Sequence, residues 1–141
     1  MEHGPPPRYG VTADAIIVRG EGTDREVVLI VRKNPPFQGC HALPGGFLDA
    51  DETIEECCVR EAREETSLDV EIVHLVGVYS KPGRDPRGRT VTAAFLCRPV
   101  RGELAAADDA AAAAWHPVPE LPSLTLAFDH GDMLSDAGLL G

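Results

Sequence analysis

Residues 53–67 read TIEECCVREAREETS, and this stretch predicts the helix around which the rest of the fold is arranged. Thr53 is a favourable N-cap residue, and Glu56 three positions later completes the pattern of a capping box. Glu55 and Glu56 also lie where the positive end of the helix dipole favours negative charge. The sequence therefore predicts a helix that begins after Thr53 and ends near Thr66.

The second half of this helix concentrates glutamates on one face. At 100° per residue, Glu61, Glu64 and Glu65 fall within one narrow arc. The same arc contains the apolar stripe of the first half, formed by Ile54, Cys57, Cys58 and Leu68. A solvated acidic face is expected opposite the apolar stripe, not in line with it. The carboxylates therefore call for a specific explanation.

A divalent cation is one explanation for the glutamate arc. Like charges three and four residues apart repel by about 0.2–0.5 kcal/mol per pair even on an exposed helix. Hard carboxylate oxygens favour Mg²⁺ first and Mn²⁺ second. The alternative is a solvated charge run that is stabilised by Arg60 and Arg63. These few residues alone support both interpretations equally.

The segments on either side of the helix predict a sheet. The predicted strands span residues 9–18, 25–33, 69–80 and 90–100, with a short extended piece at 41–44. A turn is expected at Gly45-Gly46, a loop or short helix at residues 103–114, and a closing helix at residues 126–140. The order strand, strand, helix, strand, strand, helix predicts an α+β fold with one mixed sheet covered by helices. Residues 1–8 are expected to form a flexible tail, and residues 9–141 a single domain.

Composition excludes several classes of partner. The chain has 141 residues and a net charge of -10, which disfavours binding to nucleic acid. Four cysteines without a CxxC pair indicate reduced thiols and a cytoplasmic location. No apolar run approaches the roughly 18 residues needed to cross a membrane. We therefore expect neither nucleic acid nor a membrane as a partner.

A wider window around the helix, GFLDADETIEECCVREAREETSL at residues 46–68, resembles the Nudix box of hydrolases that cleave a nucleoside diphosphate linked to another group. The residues that match the fixed positions of the box are Gly46, Glu52, Arg60, Glu61, Glu64 and Glu65. The lead-in ALPGG and the later LAFDH extend the likeness over most of the chain. The resemblance implies an α/β/α sandwich with a mixed β-sheet flanked by helices.

The resemblance also implies roles for the matching residues. Glu61, Glu64 and Glu65 would bind the divalent ions, and Gly46 would hold the turn beside the metal. Arg60 would orient the glutamates through charge-assisted hydrogen bonds, and Glu52 would support the loop and helix. Gly45, beside Gly46, would let backbone amides approach an anion.

A second resemblance concerns the substrate. The loop GRDPRGRTVT at residues 83–92 is similar to a loop of the ADP-ribose pyrophosphatase branch, and RKNPPFQG at residues 32–39 is also typical of it. Arginines suit bidentate phosphate contacts, and Phe37 could stack on a base. The candidate substrate-binding residues are Gly45, Gly46, Arg32, Phe37, Arg84, Arg87 and Arg89. The alternatives are a solvated hairpin loop and a packing role for Phe37.

Two positions depart from the family pattern. Ser67 stands where the box usually has glycine, which predicts a modest cost in stability if its φ is positive. Ala112 stands where some relatives carry a glutamate as general base. A box glutamate, Glu103 or the pair Asp108-Asp109 remain as candidates.

The function implied by the resemblance is metal-dependent hydrolysis of ADP-ribose to AMP and ribose 5-phosphate. One alternative is hydrolysis of another nucleotide, such as an oxidised nucleoside triphosphate, a dinucleoside polyphosphate or NADH. A different class is a module that senses ADP-ribose without cleaving it. The resemblance also allows a homodimer, in which an exposed N-terminal strand exchanges or pairs between two copies.

Overall fold

The computed structural model describes residue 4, residues 8–105 and residues 110–141. The strands are β1 Gly10–Arg19, β2 Glu26–Arg32, β3 His41–Ala42, β4 Gly45–Phe47, β5 Asp69–Tyr79, β6 Thr90–Arg101 and β7 Ala110–Pro117. The helices are α1 Ile54–Thr66 and α2 His130–Asp136, with short 3₁₀ segments at Gly22–Asp24 and Val118–Ser123. In the described part of the chain, no helix is long and apolar enough to cross a membrane.

The strands form one mixed sheet, as predicted. Its order is β3-β2-β1-β6-β5, while β4 pairs with β1 and β7 pairs with β2. Strands β1 and β6 run parallel, and the other pairs are antiparallel. The expectation of an exposed N-terminal strand is wrong, because β1 lies inside the sheet between β2 and β6.

Side chains of β1 alternate between two cores, one on each face of the sheet. Ala13, Ala15 and Ile17 pack in the same cluster as Cys57 and Cys58 of α1. Ile16 packs in the opposite cluster with Met133 and Leu134 of α2. Burial of each large aliphatic side chain contributes about 1.5–3 kcal/mol. The α/β/α sandwich is therefore confirmed.

Helix α1 begins and ends as its sequence predicts. The Thr53 hydroxyl accepts a hydrogen bond from the Glu56 N–H at 3.1 Å, and the Glu56 carboxylate accepts one from the Thr53 N–H at 2.9 Å. The helix ends at Thr66, and Ser67 adopts the left-handed conformation with φ 65°. The predicted capping box and the positive φ at Ser67 are both confirmed.

Three details of the predicted secondary structure are wrong. Residues 110–117 form strand β7, in which Ala112 pairs with Val31 of β2, so sheet pairing overrides the helix propensity of the alanines. Residues 106–109, with Asp108 and Asp109, lie outside the described residues. Gly45-Gly46 belongs to strand β4 and not to a turn, because it pairs with β1. The closing helix is also shorter than predicted, since α2 begins only at His130.

Candidate active site

Arg60 of α1 collects three carboxylates at the C-terminal side of β4. Its Nε and Nη2 donate to Glu52 at 2.9 and 2.7 Å. Its Nη1 donates to Glu61 at 2.8 Å and to Glu64 at 3.1 Å. Its Nη2 also donates to the Phe47 carbonyl at 3.0 Å. One guanidinium therefore ties the acidic face of α1 to the segment that follows β4.

These contacts keep the groups ionised. The hydrogen bond from Arg60, followed by that from the Asp49 N–H, lowers the pKa of Glu52 to about 2. The hydrogen bond with Glu52 raises the pKa of Arg60. The charge-assisted bonds between Glu52 and Arg60 therefore persist throughout the neutral pH range.

Strand β4 lies directly against the glutamates. The Gly45 N–H donates to Glu65 Oε2 at 3.0 Å. A Cβ atom added to Gly46 would lie 2.5 Å from the Glu61 carboxyl carbon, so a larger residue there would displace the Glu61 carboxylate. The side chain of Glu61 is 13% exposed, whereas that of Glu64 is 57% exposed. The acidic face therefore runs from the strand contact outward to solvent.

The residues present fit a hard divalent cation. Among the described residues, no three histidine, cysteine or acidic side chains converge closely enough to enclose an ion. The candidate metal ligands are nevertheless carboxylate oxygens of Glu61, Glu64 and Glu65, which are hard ligands. The Glu61 carboxylate occupies the place that a side chain at position 46 would take, so it lies directly against the backbone of β4. These features are compatible with a cation held by α1 and the backbone of β4.

A cleft next to Glu65 brings acidic and basic side chains together. The residues that line it include Glu65, Arg32, Arg84, Arg87 and Phe128. The cleft joins the acidic face of α1 to the basic side chains of the predicted substrate loops. Such a site can hold an anion between arginines and a helix-bound cation.

Arg84 is a buried member of this cleft. Its side chain is 6% exposed and donates to both Asp129 oxygens at 2.7–2.8 Å and to the Thr90 hydroxyl at 2.7 Å. Burial alone lowers the pKa of Arg84, but the bonds with Asp129 outweigh that effect and raise it. Arg84 therefore links the substrate loop to the start of α2.

Arg87 and Arg32 lie around the Phe128 ring. The Cζ atoms of Arg87 and Arg32 lie 5.5 and 5.0 Å from its centroid. Arg87 also pairs with Asp85 at 2.8 Å and keeps 47% of its side chain exposed. Burial, followed by the charge of Arg87, lowers the pKa of Arg32. The two arginines form a positive, aromatic-backed wall in a chain of opposite net charge.

Several candidate residues do not line the cleft, and two of them have their contacts elsewhere. Arg89 lies over the ring of Tyr9, with its Cζ atom 5.3 Å from the centroid. Glu103 lines a separate depression with Leu68 and Trp115. Among the residues that the structure describes, neither lines the cleft beside Glu65.

A larger cavity of about 580 Å³ adjoins the cleft. Phe37, Lys81 and Asp132 line it together with Arg84 and Phe128, which also line the cleft. The rings of Phe37 and Phe128 lie 4.7 Å apart at an angle of 57°. The cavity offers an aromatic wall and polar groups to whatever extends from the cleft.

The sequence analysis missed several polar residues of the cleft, among them Asp14 and His130. Both are buried, and Asp14 accepts a hydrogen bond from the Thr92 hydroxyl at 2.7 Å. A lone acidic residue in the apolar run TADAIIV, residues 12–18, was the available signal for Asp14. His130 lies in the LAFDH segment that had been noted only for its likeness to the family.

Comparison with known proteins agrees with this geometry. The family described as NUDIX domain matches residues 8–137. An ADP-ribose pyrophosphatase of Methanocaldococcus jannaschii is 47% identical over 126 residues, which are 89% of this chain and 71% of that protein. The ADPR responsive transcriptional repressor NtrR of Acinetobacter baylyi is 30% identical over 133 residues, which are 90% of this chain and 52% of that protein.

Solved structures show the same fold. The NUDIX domain of Shewanella oneidensis NrtR, crystallised with ADP ribose, has a TM-score of 0.82 at 27% identity and covers 94% of this chain and 88% of its own. A bifunctional NMN adenylyltransferase/ADP ribose pyrophosphatase of Francisella tularensis, in complex with AMP and a manganese ion, has a TM-score of 0.75 at 29% identity. That match covers 94% of this chain and 42% of the other.

Proposed function

This chain belongs to the Nudix hydrolase family, and on that premise we propose that it hydrolyses ADP-ribose to AMP and ribose 5-phosphate. Water attacks one phosphorus of the pyrophosphate, the P–O–P link breaks, and the second phosphate leaves with its own half of the substrate. The 47% identity to an ADP-ribose pyrophosphatase supports this choice among nucleotides.

The observation that carries the proposal is the meeting of opposite charges in one cleft. Glu65 of α1 lines the cleft together with Arg32, Arg84 and Arg87. A pyrophosphate needs cations on both sides, and a chain with a net charge of -10 cannot supply them through its overall field. Local groups must therefore hold the substrate.

We propose Mg²⁺, with Mn²⁺ as the second choice, as the cation at the acidic face. Glu61, Glu64 and Glu65 with the backbone of Gly46 would hold it, and when bound it supplies charge neutralisation and a more acidic water. Arg60 keeps Glu61 and Glu64 oriented through its two Nη1 hydrogen bonds. Glu52 positions Arg60 in turn and does not itself need to touch substrate.

The two halves of the substrate have separate places. Arg32 and Arg87 are positioned to contact the pyrophosphate, and the 580 Å³ cavity is large enough for one nucleoside or sugar half. Phe37, which is 39% exposed, offers a stacking surface in that cavity. The Gly45 N–H donates to Glu65 Oε2, so Gly45 supports a carboxylate of the site and does not offer this N–H to the substrate.

A substrate panel with product identification tests the proposal. We expect ADP-ribose to give AMP and ribose 5-phosphate with the highest kcat/KM, and a chelator to abolish turnover. Oxidised nucleoside triphosphates, dinucleoside polyphosphates and NADH complete the panel. A higher kcat/KM for any of these would replace ADP-ribose as the substrate while leaving the family unchanged.

ADP-ribose sensing is the second candidate, and the similarity to an ADPR responsive repressor favours it. Against it, every acidic position of the box is retained: Glu52, Glu61, Glu64 and Glu65. Stoichiometric ADP-ribose binding without turnover at saturating Mg²⁺ would establish sensing and end the hydrolase proposal.

We also propose a cytoplasmic location and a homodimer. The four cysteines are all free, which supports a reducing compartment. Exposed Val73, Leu75 and Val78 on the edge strand β5 support contact between copies. Light scattering during size exclusion measures the mass, and a monomer at high micromolar concentration would contradict the homodimer.

A further inference from the structure

His130 is buried behind the cleft and has a defined protonation pattern. It is the first residue of α2 and is 4% exposed. Its Nδ1 lies 3.0 Å from the backbone nitrogen of Leu43, which can only donate. Nδ1 is therefore the acceptor, and the ring proton of the neutral imidazole resides on Nε2.

The Nε2 atom faces a second buried group. It lies 3.6 Å from Asp14 Oδ1, and Asp14 Oδ2 accepts from the Thr92 hydroxyl at 2.7 Å. Burial lowers the pKa of His130, in agreement with a neutral ring. His130, Asp14 and Thr92 thus connect α2, β1 and β6 beneath the cleft.

Residues 43–46, here called the strap, lie between this buried group and the glutamates of α1. His130 holds the strap at Leu43, and the Ala15 N–H donates to the Pro44 carbonyl at 2.8 Å. The next N–H along the strap, that of Gly45, donates to Glu65 Oε2. Two residues of chain therefore separate the histidine contact from the carboxylate contact.

We propose that His130 is a positioning residue that acts through the strap. By holding Leu43 it sets the position of the Gly45 amide, and the Gly45 amide sets the orientation of Glu65. His130 does so without touching substrate or cation. The inference rests on the proposed role of Glu65 as a metal ligand, and it adds to that role a residue far away in sequence.

The residue before His130 serves the other side of the cleft. Asp129 binds both Nε and Nη2 of Arg84, whereas His130 binds the strap. One corner of the chain, Asp129-His130, therefore contacts the arginine side and the carboxylate side together. This arrangement gives each of the two polar residues of the corner its own partner near the cleft.

The test compares substitutions that differ in one hydrogen bond. In His130→Asn, the amide oxygen can occupy the place of Nδ1 and accept from Leu43. In His130→Gln, the amide oxygen lies one atom further from the backbone and cannot accept the hydrogen bond from the Leu43 N–H. His130→Ala removes the acceptor altogether. Leu139→Ala removes buried apolar atoms from the cluster that packs α2 and leaves the His130–Leu43 hydrogen bond intact, so it is the control for lost packing.

Three quantities are measured on the full chain. Calorimetry of chelator-treated protein gives the Kd of Mn²⁺ alone, steady-state kinetics give kcat and KM, and amide NMR gives the chemical shift of Gly45. We expect His130→Ala and His130→Gln to weaken Mn²⁺ binding and lower kcat by about tenfold or more. In the same two variants, KM stays within about twofold of wild type and the chemical shift of the Gly45 amide changes. His130→Asn should return each of these quantities most of the way to its wild-type value.

The outcomes separate the positioning role from packing. Equal losses in the asparagine and glutamine variants, or equal changes in Leu139→Ala, would overturn the proposal. If His130→Ala does not fold, the asparagine and glutamine pair still decides. Mn²⁺ affinity and the Gly45 shift do not depend on substrate identity, so they keep their meaning if ADP-ribose proves not to be the substrate. Nitrogen NMR that found the His130 proton on Nδ1 would also overturn it.

Discussion

Arg60 makes five hydrogen bonds of 2.7–3.1 Å to carboxylates and one carbonyl, and it organises the acidic residues of the site. Its partners approach from α1 and from the segment before the helix. A lysine could not bridge them, because a single ammonium lacks the planar array of donors. One side chain thus orients the acidic groups and offsets the repulsion between them.

The role of Glu64 predicts a large loss of activity for Glu64→Gln. The amide can still accept from Arg60, but it removes a negative charge from the proposed metal site. We expect kcat to fall about a hundredfold or more while the fold survives, as measured by steady-state kinetics and thermal unfolding. Glu55→Gln, the same charge change in the exposed first turn of α1, is the control and should stay near wild type. Equal turnover in both variants would contradict the metal role of Glu64.

The Glu52–Arg60 contact predicts a pH-dependent contribution to stability. A carboxyl whose folded pKa is about 2 and whose ordinary value is 4.5 stabilises the folded state above pH 4.5. This contribution declines as the pH falls from 4.5 towards 2. We therefore expect Glu52→Gln to unfold at lower urea than wild type at pH 7, with the difference shrinking at pH 4 and pH 3. A constant difference at all pH values would refute the ionic contribution.

At the scale of elements, α1 ends with a strained residue. Ser67 has φ 65°, a conformation that costs a residue with a Cβ atom about 1 kcal/mol or more. We expect Ser67→Gly to raise the free energy of unfolding by about 1 kcal/mol in urea titrations, with unchanged activity. Ser67→Ala retains the Cβ atom and should bring no such gain. A stabilised alanine variant would show that strain at Ser67 is not the cause.

Elements with local signals were predictable from sequence, and those that depend on distant partners were not. The cap, the dipole charges and the periodicity of α1 all lie within residues 53–67, so its bounds follow from the sequence. Strand β7 follows from pairing with the distant strand β2, in which Glu26 pairs with Pro117 and Arg32 with Ala110, and its alanines carry no strand signal.

The same distinction applies to the site. The box residues of α1 lie close together in sequence, so their arrangement on one face could be inferred. The contacts of His130 with Leu43 and of Arg84 with Asp129 span 87 and 45 residues. Such contacts exist only once the sheet has brought the cleft together. The arginines of the cleft could therefore be named from the sequence. The buried ion pair between Arg84 and Asp129 could not.

At the scale of the whole molecule, the net negative charge of the chain repels its proposed ligand. The chain carries a net charge of -10, and the proposed substrate is also an anion. Binding must depend on the placement of a few arginines and not on the summed field. Two arginines of equal charge but different location can separate these effects.

We therefore expect Arg87→Ala to raise KM for ADP-ribose about tenfold, with a smaller change in kcat. Arg98→Ala makes the same change in net charge on the β5–β6 face, where Arg98 pairs with exposed Glu71, and it should leave KM unchanged. Thermal unfolding accompanies the kinetics, because Asp85 loses a partner when Arg87 is removed. Equal rises in KM would assign the effect to the overall field.

The parallel pairing of β1 with β6 has a consequence for how the chain is made. Gly10 pairs with Thr90 and Ile17 with Cys97, so the innermost strand joins a partner that is synthesised 80 residues later. On the ribosome, the edge of β1 that faces β6 therefore stays unpaired until most of the protein has emerged, although β2 and β4 can pair with β1 earlier. Translation speed and chaperone access during that interval should govern the yield of native protein more than the stability of the finished molecule does.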